Sequence, residues 1–340
     1  MMKLELLVKY RSTWKLEDTK HILNHEERLK AINRHLQQDA ELKNILVEHG
    51  FQERGWNKMV FGSKEFFDLL NIAKDYIPLQ FLLFVKLSKK EEAEIKVFSM
   101  HPNSVLPIKY DIYNHKYFDL IDKQFPEKSL VNGLWCIKER NECIIVNKYN
   151  KWKDKYFKCT EYDGCKLIVT NFIKELIEAN NMNGFSFSNV KYFIEKNKDI
   201  KEIKDVYGIK PMNTMKDSFL KTKFMKEKYN ENHHCKYYSN DGNFVFSGGS
   251  LDNIDDLIRL NTPTGCCSTD WIVSSKFKTF YDQHKLKGLR FEPIFETQTE
   301  MFDLYNEMIA NFAKELQQYN TQHCIGHEEI DSSMLVNGVL

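Results

Sequence analysis

The spacing of apolar residues in the first eighty positions predicts one strand followed by three helices. Lys3–Tyr10 alternates apolar and polar residues, as a half-buried strand does. Apolar residues at helical spacing then predict helices over residues 18–37, over residues 39–50 and from Ser63 onward. Pro78 follows the third helix closely, which is where a residue that cannot continue a helix is expected.

Two pairs of short, β-rich segments predict antiparallel hairpins in the next part of the chain. The first pair is residues 80–87 with 94–100, joined by a charged stretch. The second pair is residues 130–138 with 142–147. Short runs of strand formers separated by a few polar residues are typical of hairpins.

Two segments of 25 residues then repeat one pattern, because residues 166–190 align without a gap to residues 270–294. Each segment predicts an extended piece, a helix, a turn at a glycine and a second extended piece. The glycine suits a position just past a helix end that needs a positive φ. Five aligned pairs are identical: Ile168/Ile272, Val169/Val273, Lys174/Lys278, Gly184/Gly288 and Phe187/Phe291. We expect Phe277, Phe280 and Phe291 to be buried.

A long amphipathic helix is predicted near the end of the chain. Thr297 and Glu300 fit a capping box, and an apolar stripe continues to about Tyr319. Residues 321–340 show no clear period, so we expect them to form a mobile tail.

Together these elements predict an α+β fold with two related α/β halves. Each half contains short antiparallel hairpins and ends in a helix–glycine–strand unit, with a helical N-terminal part and a long C-terminal helix in addition. A length of 340 residues also favours two domains. We predict an N-terminal half over residues 1–195 and a C-terminal half over residues 196–320.

Charge is distributed unevenly, although the net charge is only +1. Residues 1–250 hold 42 Lys and Arg against 34 Asp and Glu, whereas residues 251–340 hold 7 against 14. Such asymmetry bears on partners rather than on the fold. Five acids of this last part form a candidate partner-binding set: Glu292, Glu296, Glu300, Asp303 and Glu307. They predict either a solvated helix face or a docking surface for a basic protein.

Candidate chemistry in the sequence is sparse. The chain has no GxSxG, GxGxxG or GxxxxGK[ST] motif, and we predict no catalytic residue, no cofactor and no metal. Four cysteines precede the two repeated helices: Cys159, Cys165, Cys266 and Cys267. They lack the CxxC spacing of zinc knuckles, which leaves ordinary reduced thiols or a zinc site across the halves as alternatives.

The compartment is predicted to be the cytoplasm. Charged residues interrupt the N-terminal apolar stretch, which disfavours a signal peptide. The longest apolar run, residues 76–87, is too short to cross a bilayer, so we expect no membrane partner.

The second repeated segment resembles the C-terminal signature of immunity proteins from bacterial polymorphic-toxin systems. It is similar to immunity family eleven and the related double-CxxCG immunity proteins, which show an IVS motif, a helix, a glycine and an F-x-P piece. These correspond here to residues 272–274, the helix ending at His284, Gly288 and residues 291–293. The chain has no CxxCG, so the zinc ribbon of the related group is not carried over. The resemblance implies a cytoplasmic protein that neutralises a toxin by binding it.

Two classes of function follow. The first is a stoichiometric immunity protein, not an enzyme, whose partner is a cognate and basic toxin. The second is an enzyme or a nucleic-acid-associated protein with a site formed by residues distant in sequence. The absence of local catalytic motifs favours the first class, and we do not expect a nucleic-acid partner.

Overall fold

A computed structural model describes most of the chain. The described residues are 2–10, 25–48, 50–51, 57–73, 79–103, 105–106, 129–131, 134–136, 144–146, 153–160, 167–194, 199–215, 219–223, 225–230, 235–240, 243–260, 271–318, 323–325, 328–329 and 339–340. Both helices and largely antiparallel sheets occur in this part of the chain, which confirms the predicted α+β class.

Six helices and 21 strands lie within the described ranges. The helices are α1 (His25–Glu48), α2 (Lys64–Ala73), α3 (Lys89–Ala93), α4 (Asn171–Ala179), α5 (Ser275–Gln283) and α6 (Glu300–Gln318). The strands are β1 (Lys3–Tyr10), β2 (Asn57–Val60), β3 (Leu79–Lys86), β4 (Val97–Pro102), β5 (Val105–Leu106), β6 (Ser129–Val131), β7 (Leu134–Cys136), β8 (Ile144–Val146), β9 (Lys158–Thr160), β10 (Leu167–Thr170), β11 (Phe185–Ile194), β12 (Asp199–Pro211), β13 (Met225–Asn230), β14 (Cys235–Asn240), β15 (Val245–Phe246), β16 (Leu257–Arg259), β17 (Trp271–Ser274), β18 (Leu289–Pro293), β19 (Phe295–Glu296), β20 (His323–Ile325) and β21 (Glu328–Glu329).

Helix boundaries follow the predicted caps only in part. The Oγ atom of Ser63 accepts a hydrogen bond from the Phe66 amide at 3.3 Å, as expected for the cap of α2. Helix α6 is capped by Thr299, whose Oγ1 accepts from Phe302 N, whereas Thr297 Oγ1 accepts from Gly248 N. Helix α1 runs through Asp39, where the sequence predicted two helices. An aspartate inside a helix lowers helix stability by less than about 1 kcal/mol relative to alanine. The helix therefore continues through Asp39 and does not have to start again after it.

The first sheet joins the two ends of the chain, in the order β2-β1-β3-β20-β21. Leu4, Leu6 and Val8 of β1 are buried, as its alternating pattern predicted. Strand β20 pairs in parallel with β3, and Phe312 of α6 packs its ring against Phe61, Phe66 and Phe81 at 5.4–6.1 Å. Residues 321–340 were predicted to form a mobile tail, yet they contain β20, β21 and the buried Val339.

The two predicted hairpins do not form as expected. Strands β3 and β4 belong to different sheets, and helix α3, which begins with a capping box of Ser88 and Glu91, lies between them in the chain. In the second region β6 pairs with β7 inside the first predicted strand, and β8 pairs in parallel with β11. Short hairpins do occur at β6-β7 and at β13-β14.

The internal repeat is confirmed in backbone conformation. The units β10-α4-β11 and β17-α5-β18 have the same element order at the same offset. Both helices end alike, because Met182 N donates to Ile177 O at 3.2 Å and Leu286 N donates to Tyr281 O at 3.0 Å. The glycines that follow have φ angles of +84° at Gly184 and +99° at Gly288. The predicted need for a positive φ is therefore met at both glycines.

The repeat extends further than the sequence alignment showed. The last six residues of β12, VYGIKP, correspond to the six residues of β4, VFSMHP. The register is the same in both sheets, since Phe187 lies opposite Ile209 and Phe291 lies opposite Met100. Outer strands correspond too, because Ile168 lies opposite Lys158 and Ile272 lies opposite Ile258.

The two repeats exchange their central strands. One sheet has the order β5-β9-β10-β12-β11-β8, and the other has the order β16-β17-β4-β18. In chain order β4, β9, β10, α4 and β11 form the first repeat, and β12, β16, β17, α5 and β18 form the second. Strand β12 of the second repeat therefore lies between β10 and β11 of the first repeat. Strand β4 of the first repeat lies between β17 and β18 of the second.

Two backbone junctions connect the exchanged sheets. In the first junction, residues 153–157 meet residues 285–288, and Phe157 N donates to Lys287 O at 2.7 Å. In the second junction, residues 252–257 meet residues 181–184, and Leu257 N donates to Asn183 O at 3.2 Å. A Cβ atom on Gly288 would collide with the Phe157 carbonyl, and one on Gly184 would collide with the Leu257 carbonyl.

Aromatic packing fills the space between the repeats. The buried Phe277 ring lies 5.2 Å from Phe185 and 6.3 Å from Phe157, both of which are in or beside the first repeat's strands. Phe280 is buried as well, and Phe291 is partly buried. The burial predicted for these three phenylalanines is thus confirmed for Phe277 and Phe280 and is partial for Phe291.

The described strands do not separate at the predicted boundary between residues 195 and 196. Each of the three large sheets combines strands from both sides of that position. The exchange explains this arrangement, because a division there would remove the central strand from two sheets.

We expect Gly288→Ala to destabilise the protein much more than Gly62→Ala. Both glycines have positive φ, which costs roughly 1–2 kcal/mol for alanine, but only the Cβ at position 288 meets backbone atoms. Urea unfolding of both variants measures the difference. Equal losses of unfolding free energy in the two variants would show that the backbone of the first junction moves to accommodate the added Cβ atom.

Phe280→Ala should lower the free energy of unfolding by about 3–5 kcal/mol, because a large buried ring is replaced by a cavity. Phe172→Ala is the matched control on α4, since the Phe172 side chain is exposed. A denaturant titration in which the two variants lose the same stability contradicts the assignment of Phe280 to the core.

Candidate functional site

Helix α6 presents an acidic face opposite its buried face. Its buried residues are Met301, Phe302, Tyr305, Ile309, Phe312, Ala313 and Leu316. Glu300, Asp303, Leu304 and Glu307 are exposed, and Glu300 and Glu307 each lie three or four residues from Asp303 and Leu304, so the four form one stripe along the helix. We call these four residues the acidic stripe. The packing of the opposite face fixes the stripe relative to the protein core.

The charges of the acidic stripe are only partly explained by helix stability. Glu300 and Asp303 occupy the first turn of α6, where the helix dipole favours acids. Glu307 lies beyond that turn, so the dipole does not account for it. Within the described ranges, none of these three carboxylates forms an ion pair. Leu304 is 39% exposed between them.

Glu296 is not accessible to a partner. Its side chain is 5% exposed, and its carboxylate accepts from Lys96 Nζ at 2.8 Å and from Leu251 N at 3.2 Å. Lys96 also bonds Asp252 at 2.6 Å, and the hydrogen bonds to Asp252 and Glu296 raise the pKa of Lys96. Glu296 therefore connects β19 to the start of β4 and is removed from the predicted docking set.

Glu292 is held in a charged cluster on the sheet that contains β4 and β18. Its Oε1 lies 2.9 Å from Arg290 Nη2, and its Oε2 lies 3.5 Å from His101 Nε2. Burial raises the pKa of Glu292, but the hydrogen bond from His101 and the charges of His101 and Arg290 outweigh it and lower the pKa overall. Its side chain is only 22% exposed, so Glu292 contributes little to an outer acidic surface.

Ser99, His101 and Glu292 do not have the geometry of a hydrolytic triad. Ser99 Oγ lies 3.1 Å from His101 Nε2, and the Glu292 carboxylate approaches the same ring nitrogen. A triad places the acid at the opposite nitrogen, where it orients the ring toward the nucleophile. Ser99 is buried and its hydroxyl also donates to the Glu292 carbonyl, so the cluster supports the pairing of β4 with β18.

The identical lysines of the repeat have matching structural roles. Lys278 lies 5.5 Å from the Phe291 ring centroid and pairs with Glu92 and Asp282. Lys174 lies 5.8 Å from the Phe187 ring centroid and pairs with Glu178. Their retention in both repeats is explained by these contacts with the scaffold.

A buried carboxylate closes the second junction. Asp256 accepts hydrogen bonds from Asn183 N at 2.9 Å, Ser274 Oγ at 2.6 Å and Lys276 Nζ at 3.0 Å. Asp255 accepts from Asn213 Nδ2 at 2.6 Å. The sequence analysis missed Asp256, because its partners lie 18 to 73 positions away and form no local motif.

The four cysteine side chains that were considered for a zinc site lie outside the described residues. Cys165, Cys266 and Cys267 are not described, and neither is the side chain of Cys159. Within the described ranges, no group of three or more His, Cys, Asp and Glu side chains is arranged to hold a metal ion. None of the helices in this part of the chain combines the length and apolar character needed to cross a membrane.

No protein-family model and no curated protein matches this chain.

We expect Glu292→Gln to change the pH dependence of stability. The folded-state pKa of Glu292 is lowered from 4.5, so the ionised carboxylate stabilises the protein above that value and loses its effect as the pH falls through the folded pKa. The gap in urea midpoint between wild type and variant should be widest above pH 4.5 and should narrow as the pH falls through the lowered pKa of Glu292. A gap of constant size would show that the carboxylate's charge contributes nothing.

Proposed function

We propose that this protein is an immunity protein of a bacterial polymorphic-toxin system. It acts in the cytoplasm, binds a cognate basic toxin stoichiometrically and catalyses no reaction. The acidic stripe on α6 is the observation that carries the proposal, and the resemblance of residues 270–294 to immunity family eleven supports it.

The residues that carry the resemblance belong to the scaffold. Ile272 and Val273 are buried in β17, and Ser274 Oγ caps α5 by accepting from Phe277 N at 3.1 Å. Gly288 allows the close approach of the Phe157 carbonyl. The resemblance therefore supports a shared fold, and the surface that meets a toxin lies elsewhere.

The composition of the acidic stripe suits a basic protein. Leu304 supplies an apolar contact, and Glu300, Asp303 and Glu307 surround it with charge, which follows the usual division of an interface into apolar centre and polar rim. A toxin that attacks nucleic acid presents positive charge at its active site. An acidic helix face can occupy such a site in place of phosphate, and complementary charge accelerates encounter.

The proposal expects a toxin domain to be encoded beside this protein, and the test uses that domain. We expect the wild-type protein to restore growth when it is co-expressed with that domain. The triple variant Glu300→Lys, Asp303→Lys, Glu307→Lys should associate about tenfold more slowly at low ionic strength, with a smaller effect at high salt. Association rates measured at two salt concentrations provide this comparison.

A matched control separates the stripe from net charge. Glu41→Lys, Glu48→Lys and Glu94→Lys together make the same charge change at exposed positions outside α6. We expect this control to associate at the wild-type rate. If both triple variants are slowed equally, net charge alone steers the toxin. If the stripe variant binds like wild type, the acidic stripe is only a solvated helix face.

A further inference from the structure

Lysines are concentrated at the first junction. Lys153, Lys155, Lys285 and Lys287 are all exposed there. The backbone brings the two segments together, because Lys287 N donates to Lys155 O at 2.8 Å and Tyr156 pairs with Lys287 in an isolated bridge. Residues from positions more than 125 apart in sequence therefore form one basic surface.

Two of the lysine ammonium groups share one tyrosine ring. Lys153 Nζ lies 5.4 Å from the Tyr156 ring centroid, and Lys287 Nζ lies 5.8 Å from it. Contact with the ring stabilises each cation modestly but does not neutralise it. In the part of the chain that the structure describes, none of the four lysines forms an ion pair with a carboxylate. The first junction thus carries four exposed cations beside one exposed carboxylate, Asp154.

The second junction shows that the backbone does not require these lysines. At the second junction, Asp255 and Asp256 occupy the positions of Lys155 and Tyr156. Asn181 and Asn183 occupy the positions of Lys285 and Lys287. Asp256 is buried there and satisfied by three internal hydrogen bonds. At the second junction the buried carboxylate bonds to groups inside the protein, whereas the equivalent backbone of the first junction carries exposed lysines. The shared backbone therefore does not account for the lysines.

An exposed aromatic residue lies in the first turn of α4, the helix whose start contacts residues 153–157. Phe172 on α4 is 38% exposed, and Thr170 Oγ1 donates to Asp154 O at 3.1 Å, which fixes the start of α4 against residues 153–157. In the second junction the residue equivalent to Phe172 is Lys276, which contacts both Asp256 and Asn181. The correspondence of the two backbones places residue Phe172 at the matching position of α4, next to the first junction.

We propose that the first junction binds single-stranded nucleic acid. The four lysines contact successive phosphates, and a base stacks on Phe172, which is the combination that single-strand-binding proteins use. Tyr156 positions the ammonium groups of Lys153 and Lys287. An acidic protein segment would use the lysines alone, so the exposed ring favours nucleic acid. This inference is independent of the proposed toxin binding, because it uses the opposite charge on another surface.

The test measures fluorescence anisotropy of a labelled single-stranded oligonucleotide with the full-length protein. We expect saturable binding whose logarithmic salt dependence has a slope of about −3, as four phosphate contacts would give. Lys155→Glu with Lys287→Glu should weaken binding at least tenfold and flatten the slope. Phe172→Ala should weaken binding by about tenfold and leave the slope unchanged, since stacking releases no counterions.

The control and the opposing outcomes are equally specific. Lys201→Glu with Lys204→Glu makes the same charge change at exposed positions of β12 and should leave binding intact. Lys155→Gln with Lys287→Gln replaces the glutamate variant if the latter has a lowered melting temperature. Absence of saturable binding by wild type, or equal losses in both lysine pairs, overturns the proposal. If a polyglutamate peptide of equal charge displaces the labelled oligonucleotide as effectively as unlabelled oligonucleotide does, the site binds an acidic protein segment instead.

Discussion

The exchange of central strands is the constraint on which the rest of the structure depends. A central strand pairs on both sides, so its removal would leave two neighbouring strands with unpaired backbone groups. Strand β12 pairs with β10 and β11, and β4 pairs with β17 and β18. Each repeat therefore completes the sheet of the other, and neither sheet is complete without both. Pairings this distant in sequence also favour slow folding.

Duplication provides an internal comparison between scaffold and surface. Positions that keep their residue type in both repeats have structural roles, as Lys174 and Lys278 show by their contacts with phenylalanine rings. Positions that differ, such as Tyr156 and Asp256, share a backbone environment but not a chemistry. Because the backbone is common to both, the fold alone does not account for the difference at the junctions. This is why candidate binding residues are found among the unmatched positions.

Periodicity predicted the elements that local sequence determines. Strand β1, helix α2, both repeated units and helix α6 follow from apolar spacing. The first hairpin failed because β4 pairs with β17, about 170 positions later, and no local pattern records such a partner. The alignment did not find the correspondence of β4 and β12, because the offset between these two strands differs from the offset between the 25-residue units. Glu296 looked like part of an acidic face because its partner Lys96 is 200 positions away.

Charge in this protein is sorted by the fold and not by sequence segment. Residues 251–340 are acidic as a block, yet they contribute Lys285 and Lys287 to the basic first junction. The same block contributes the acidic stripe on α6, which packs against the N-terminal sheet. Added salt weakens attraction at both surfaces, so ionic strength alone cannot assign a partner to either. Charge reversal at one surface at a time does so, because opposite partners respond to opposite substitutions.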